Sequence, residues 1–131
     1  MKQRLPQIFV VLSALAFGGL GILFMLDPAR LAGTVELGTS PFQTIELRAM
    51  YGGLEIGVAL FLLWCAASPQ RIGLGLWFSL FAYSGLGLGR LSGVLLSGVA
   101  GGPHWNLIAI ETMAVILSLV GLAILRRQAD S

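Results

Sequence analysis

Long apolar runs separated by short polar or turn-forming segments set the pattern of this chain. The first run, residues 8–26, contains 19 residues without a charge. At roughly 1.5 Å of helix rise per residue, such a run can cross a hydrocarbon core of about 30 Å. The same criterion predicts three further membrane-spanning helices, at residues 43–67, 71–97 and 103–125.

Turn signals between these runs agree with the predicted ends of the helices. Ser40, Pro41 and Gln43 have the order of a capping box with proline at the first helical position, which predicts a helix start. Residues 29–39 before it are predicted to be a loop with at most one short turn. Three proline-containing segments end or separate the runs: Asp27-Pro28, Ser68-Pro69 and Gly101-Gly102-Pro103.

The first run has an alternative interpretation as a secretory signal peptide. Lys2 and Arg4 supply a positive start, and Ala14-Leu15-Ala16 resembles a cleavage signal. The apolar run continues ten residues beyond that segment, which is longer than the apolar region of a signal peptide requires. We therefore favour a retained first helix.

Composition narrows the class of protein. Of the 131 residues, 56% are hydrophobic and only 11% are charged, against roughly 25% charged residues in soluble domains. The basic residues are scattered, so no basic face for nucleic acid is predicted. Cys65 is the single cysteine, which excludes a disulfide framework. The chain is thus predicted to be one integral membrane domain over residues 1–131.

Short connections make successive helices antiparallel neighbours, so the predicted fold is an all-α four-helix antiparallel bundle. In this arrangement both termini lie on one side of the membrane. Five basic residues fall on that side and only Arg30 on the other; the five are Lys2, Arg4, Arg71, Arg126 and Arg127. The positive-inside rule then predicts cytoplasmic termini, with the chain in a bacterial inner membrane.

Several charged residues fall inside the predicted spans, where each costs at least about 2.5–3.5 kcal/mol on insertion scales. From the helix rise, Arg48, Arg90 and Glu111 lie about 10–12 Å from the outer ends of their spans. Glu55 is deeper, about 21 Å from Pro41. Three charged groups at one level predict that they approach one another, and we expect Arg90 and Glu111 to form a hydrogen-bonded pair with Arg48 alongside.

Each of the last three spans carries polar side chains at helical spacing on one face. Arg48 and Glu55 are seven residues apart with Tyr51 between them, which predicts a shared face. The other two stripes are Ser79, Tyr83 and Arg90 on the third span, and His104, Glu111 and Ser118 on the fourth. Turned inward, these faces would line a polar pocket in which two arginines balance two glutamates.

This pocket is the predicted ligand-binding site. Its candidate residues are Glu46, Arg48, Tyr51, Glu55, Tyr83, Arg90 and Glu111. The planar fork of arginine suits a carboxylate, a phosphate or a quinone carbonyl, so an amphiphilic ligand is expected. The alternative is that the charges only pair with one another and fix the register of the helices. The lone His104 does not predict a metal site, because such sites need several ligands.

Glycines at four-residue spacing predict close packing of helices. Gly85, Gly89 and Gly93 form one such ridge on the third span, and Gly53 and Gly57 form a shorter one on the second. The spacing leaves open whether the contact lies within one chain or between chains. A homodimer or a larger membrane complex through the longer ridge is one of the two expectations.

The segment Glu46-Leu-Arg-Ala-Met-Tyr-Gly-Gly resembles a motif of small four-helix bacterial membrane proteins near the DoxX-like superfamily. In that family an arginine follows late in the third helix, here Arg90, and a glutamate on the fourth, here Glu111. The resemblance extends from residue 8 to residue 125, but Glu55 lies outside its pattern. It implies four membrane helices, and by analogy with quinone-linked relatives it makes a quinone a conceivable cofactor.

Three functional hypotheses follow. The favoured one is a non-enzymatic binding module or accessory subunit for a lipid-like or quinone-like molecule. The alternative is a small proton-coupled transporter that works as a dimer, with Glu55 or Glu111 as its membrane carboxylate. An enzyme is least favoured, because the sequence offers no nucleophile–base pair, metal set or cofactor motif. A carbonyl-directed activity would have to use Arg48, Tyr51, Arg90 and Glu111.

Overall fold

The computed structural model describes residues 4–34, 40–98 and 104–129. These residues form five helices and no strand, and four of the helices are long and apolar enough to cross a membrane. The prediction of an all-α protein with four spanning helices is confirmed. In chain order the helices are α1 (Arg4–Leu26), α2 (Pro28–Thr34), α3 (Pro41–Ala66), α4 (Pro69–Ser97) and α5 (His104–Ala129).

The predicted start of α3 is present in atomic detail. The backbone N–H of Gln43 donates to Ser40 Oγ at 3.3 Å, and the backbone N–H of Ser40 donates to Gln43 Oε1 at 3.0 Å. Pro41 follows at the first helical position. These two reciprocal bonds satisfy donors that the first turn of a helix leaves free.

The prediction of a loop after Asp27 is wrong in part, because α2 occupies residues 28–34. The Asp27 carboxylate accepts a hydrogen bond from the Arg30 backbone N–H at 3.2 Å, as an N-cap residue does. Asp27-Pro28 therefore ends one helix and starts the next. Residues 35–39 of the predicted loop and the Gly101-Gly102-Pro103 turn lie outside the described residues.

Helix α5 is longer than predicted, reaching residue 129 instead of residue 125. Arg126 and Arg127 lie in its last turn, where positive charge interacts favourably with the free carbonyl groups of the helix end. Helix α4 ends at Ser97, and the residue that caps it, Gly98, has a left-handed φ of 68°.

The bundle consists of two closely packed helix pairs, α1 with α3 and α4 with α5, which meet along a smaller contact. The main core lies between α1, α3 and α4, where fully buried side chains include Val10, Leu62, Cys65 and Leu76. At the same end of the bundle, Gln7 Nε2 donates to the Ala66 carbonyl oxygen at 2.9 Å.

Glycine allows α1 and α3 to approach almost to backbone contact. A Cβ atom at Gly21 would lie 2.9 Å from the Gly52 carbonyl oxygen and 2.9 Å from the Ile56 side chain. Across the same interface, a Cβ atom at Gly52 would lie 2.7 Å from the Met25 sulfur. Small residues at such contacts are the usual means by which membrane helices pack closely.

The predicted glycine ridge of α4 does not pack against any of the described residues. Gly85, Gly89 and Gly93 are exposed, and a Cβ atom at any of them would meet none of these residues within 4 Å. On α3, Gly53 and Gly57 are exposed as well. An intrachain role for these ridges is therefore wrong, and a contact between chains through the α4 ridge stays a prediction.

Helix α3 contains a π-helical segment at Arg48–Gly53. A π turn holds one more residue than an α turn. Relative to a regular α-helix, the extra residue rotates the side chains that follow it by roughly 100° about the helix axis. The prediction that Arg48 and Glu55 share a helix face assumed a regular α-helix and is wrong. Arg48 is exposed, whereas Glu55 is half-buried.

Candidate functional site

Arg90 of α4 and Glu111 of α5 form the ion pair predicted from their equal depth. Arg90 Nη2 donates to Glu111 Oε1 at 3.0 Å, and Arg90 Nε donates to the same oxygen at 3.2 Å. A longer contact of 3.4 Å joins Nε to Oε2. Two nitrogens of one guanidinium on one carboxylate fix the relative position of the two helices.

The two partners of this pair differ in exposure. The Glu111 side chain is 7% exposed and the Arg90 side chain is 28% exposed. The carboxylate lies against the backbone of α4, where a Cβ atom at Gly87 would be 3.6 Å from Glu111 Oε2. Among the described residues Arg90 Nη1 makes no hydrogen bond, so donors of the guanidinium stay available to a further acceptor.

A groove of about 250 Å³ opens beside the ion pair, between α4 and α5. Tyr83 and Glu111 supply polar groups at its surface. The remaining walls are mostly apolar and include Leu88, Leu91, Ile108 and Val115. An apolar groove with a few polar groups at fixed positions is the common form of a small-molecule site.

Glu55 of α3 lies apart from that ion pair. It is half-buried, and its Oε2 atom is fully buried without a hydrogen-bond partner among the described residues. Within the same residues it forms no ion pair. The predicted balance of two arginines against two glutamates in one pocket is therefore wrong, because Glu55 has no arginine and Glu111 has Arg90.

Tyr83 lies between the two glutamates. Its ring packs on Phe17 of α1 with 5.3 Å between the ring centroids. It is close enough to Glu55 for an electrostatic interaction, and it approaches Ser13, although Ser13 Oγ has no partner with hydrogen-bond geometry. Because Tyr83 also lines the α4–α5 groove, one side chain borders both polar regions.

Three of the predicted site residues lie outside these regions. Glu46 and Arg48 are exposed, and neither forms an ion pair with the described residues. Tyr51 is exposed on one side, while its ring stacks on Phe24 of α1 at 5.1 Å. Among the described residues Arg48 forms no ion pair with Glu111, and its expected position beside Arg90 stays a prediction. The ligand-binding role of the seven candidate residues stays a prediction.

Ser13 is a polar site residue that the sequence analysis did not single out. It is 2% exposed and lies in α1 at the interface that Tyr83 reaches. A signal was present, because Ser13 is the only hydroxyl, amide or charged side chain between residues 8 and 26. A lone polar residue in an apolar span is expected to face the interior of a bundle.

The polar groups of these regions are mostly oxygen atoms, and the described residues include no cluster of metal ligands. Among the described residues, no group of three or more His, Cys, Asp or Glu side chains is gathered in space. The arrangement offers an ion pair whose Glu111 member lines an apolar groove and, elsewhere, a Glu55 carboxylate that has no ion-pair partner among the described residues. Groups of these types can bind a polar ligand or exchange a proton.

Comparison with known proteins gives one match. A family model described as "Domain of unknown function (DUF4345)" matches residues 5–122, which includes all four spanning helices in large part. No curated protein and no solved structure matches the chain.

Proposed function

Because the chain belongs to the DUF4345 domain family, whose function is unknown, we propose a function from the site itself: a non-enzymatic membrane binding module or accessory subunit. Its ligand is an amphiphilic, lipid-like or quinone-like molecule held in the groove between α4 and α5. The polar end of the ligand meets Arg90, and its apolar part lies along the groove and the surrounding lipid.

The observation that carries this proposal is the Arg90–Glu111 pair, whose Glu111 side chain lines an apolar groove. Glu111 is buried and holds Arg90 through two nitrogens, which leaves other guanidinium donors for an acceptor such as a carbonyl, carboxylate or phosphate. The groove, at about 250 Å³, suits the end of an amphiphile better than a whole drug-sized molecule, for which about 300–1,000 Å³ is usual.

The test fills the groove without changing the ion pair. Val115 lines the groove, whereas the neighbouring Ile116 is exposed on α5 and does not line it. Val115→Trp should remove bound amphiphile, and Ile116→Trp is the matched control. The readout is native mass spectrometry of protein extracted from its membranes, followed by titration of the emptied protein with a short-chain ubiquinone and with phosphatidylglycerol.

We expect one of the two probes to bind the unmodified chain and the Ile116→Trp variant, and to bind Val115→Trp much more weakly. Arg90→Lys should also weaken binding, because a lysine ammonium cannot reproduce the planar fork. Equal binding by all four proteins, or none by the unmodified chain, would reject the groove as the site.

The type of membrane and the side on which the termini lie are also proposals. Four apolar helices support an integral membrane protein. A bacterial inner membrane, cytoplasmic termini and a relationship to the DoxX-like superfamily rest on sequence patterns alone. Reporter fusions at positions 35 and 100 should both read as periplasmic if the termini are cytoplasmic.

A further inference from the structure

The second polar region of the molecule centres on Glu55, a carboxylate without a counter-charge. Its Oε2 atom is buried and has no hydrogen-bond partner among the described residues. A charged group at membrane depth is tolerated when it pairs or lines a hydrated cavity. Glu55 therefore needs either a bound cation or a proton to lower the cost of its charge.

Two buried hydroxyl groups are without partners as well. Ser13 Oγ of α1 and Ser79 Oγ of α4 make no hydrogen bond with the described residues, although these side chains are 2% and 0% exposed. Elsewhere in the bundle, buried Ser118 Oγ donates to the Ala114 carbonyl oxygen at 2.8 Å. Serine in a helix commonly satisfies its hydroxyl in this way, and Ser13 and Ser79 do not.

These groups come from α1, α3 and α4, which pack against one another. Tyr83 interacts electrostatically with Glu55 and approaches Ser13. Ser79 precedes Tyr83 by four residues, which places both on one face of α4, about 6 Å apart along the axis. The cluster thus joins oxygen atoms from α1, α3 and α4.

The charged groups on the surrounding helices do not neutralise Glu55. Tyr83 is the titratable group that faces it from α4, and Arg90 on the same helix is already held by Glu111. Among the described residues, α1 carries only Arg4 as a charged side chain, at its far end. On α3 itself, Glu46 and Arg48 are exposed.

We propose that Glu55, Ser13, Ser79 and Tyr83 form a binding site for a small monovalent cation, either a proton on Glu55 or a sodium ion held by the four side-chain oxygens. Hard cations prefer carboxylate and hydroxyl oxygen over nitrogen or sulfur ligands. Glu55, Ser13 and Ser79 do not line the amphiphile groove, and Tyr83 is the side chain that the two sites share. The cation site would supply the carboxylate that cation-coupled transport requires.

The experiment uses N,N′-dicyclohexylcarbodiimide, which modifies protonated carboxyl groups in apolar surroundings. The full chain in liposomes is labelled with and without NaCl, with choline chloride at equal ionic strength, from mildly acidic to mildly alkaline pH. Peptide mass spectrometry then reports labelling at each glutamate. Glu111 serves as an internal comparison, because it is paired with Arg90.

Labelling of Glu55 that sodium suppresses at constant pH identifies sodium as the ligand. Labelling that only alkaline pH suppresses identifies the proton. Labelling that neither sodium nor pH changes would overturn the proposal. If the reagent does not reach Glu55, the infrared carbonyl band of a protonated carboxyl, assigned by its loss in Glu55→Gln, decides between the same outcomes; with no such band and no sodium-dependent change, the proposal is overturned.

Two serine variants test whether a buried hydroxyl group contributes to cation binding or is only buried. Ser13→Ala removes a hydroxyl of the site, and Ser118→Ala removes a buried hydroxyl that is bonded within its own helix. We expect Ser13→Ala to change the half-protecting sodium concentration by about threefold or more, or to shift the midpoint of the pH profile by about half a pH unit or more. Ser118→Ala should leave both unchanged, and equal behaviour of the two variants would contradict the site.

Discussion

The two helix pairs of this bundle are held together by different means. Helices α1 and α3 meet through glycine, with the position of a Gly21 Cβ only 2.9 Å from the Gly52 carbonyl oxygen. Helices α4 and α5 are joined by the Arg90–Glu111 ion pair and leave a groove beside it. Among the described residues Glu55 of the first pair has no ion-pair partner, whereas Glu111 of the second pair joins its two helices. In apolar surroundings, close packing and polar pairing are separate ways to hold helices together.

The largest effect that tests this contrast is expected from Arg90→Ala. The variant leaves the 7%-exposed Glu111 carboxylate without its cation, and breaking such a pair should cost about 3 kcal/mol of unfolding free energy. The measurement is unfolding in mixed micelles, as a double-mutant cycle with Glu111→Ala. A coupling energy near zero would mean that the ion pair does not join α4 to α5.

A substitution at the glycine contact between α1 and α3 should lower the free energy of unfolding nearly as much. Gly21→Ala forces a methyl group against the α3 backbone at Gly52, and overpacking of this kind costs about 1–3 kcal/mol. Gly85→Ala is the control, because its Cβ atom would meet none of the residues that the structure describes within 4 Å. If both variants unfold at the same denaturant concentration, α1 and α3 are farther apart than described here.

The stability of the protein should depend much more on the charge of Glu111 than on the charge of Glu55. Glu111→Gln removes the charge that Arg90 binds and should cost about 1.5–3 kcal/mol. Glu55→Gln removes an unpaired carboxylate of nearly the same shape, so a change below about 0.5 kcal/mol in either direction is expected. A larger loss for Glu55→Gln than for Glu111→Gln in the same unfolding assay would reverse the comparison.

The smallest effect on the stability of one chain is expected from Gly89→Leu. Gly89 is exposed and a Cβ atom there would meet nothing within 4 Å in the described part of the chain, so the unfolding free energy of a monomer should be unchanged. If the Gly85–Gly89–Gly93 ridge joins two chains, the leucine should instead reduce the dimer fraction in analytical ultracentrifugation. An unchanged dimer fraction would place the ridge against lipid.

The Arg90–Glu111 contact was predictable from sequence because both residues lie on regular α-helices, so depth follows from rise per residue and face follows from the 3.6-residue period. The same arithmetic failed for Arg48 and Glu55, since the π-helical segment Arg48–Gly53 lies between them. No simple periodicity signals such a turn. The two adjacent glycines within it, Gly52 and Gly53, are compatible with one but do not specify it.

Packing partners were also harder to predict than helices. Four-residue glycine spacing pointed to the α4 ridge, yet the close approach uses Gly21 and Gly52, which the spacing rule does not distinguish. Which glycine faces a neighbour depends on how each helix is rotated, and in the apolar spans every face has a similar hydrophobicity. Amphipathic patterns, which set that rotation in soluble proteins, are weak here.

The π-helical segment gives α3 two rotational phases. Residues before it follow one α-helical phase, which presents Arg48 on the outside of the bundle, and residues after it follow another, which turns Glu55 inward. Deleting a single residue within the wide turn would merge the two phases and move a charge from one surface to the other. The direction in which Glu55 points thus depends on the number of residues in the π-helical segment as much as on the side chain itself.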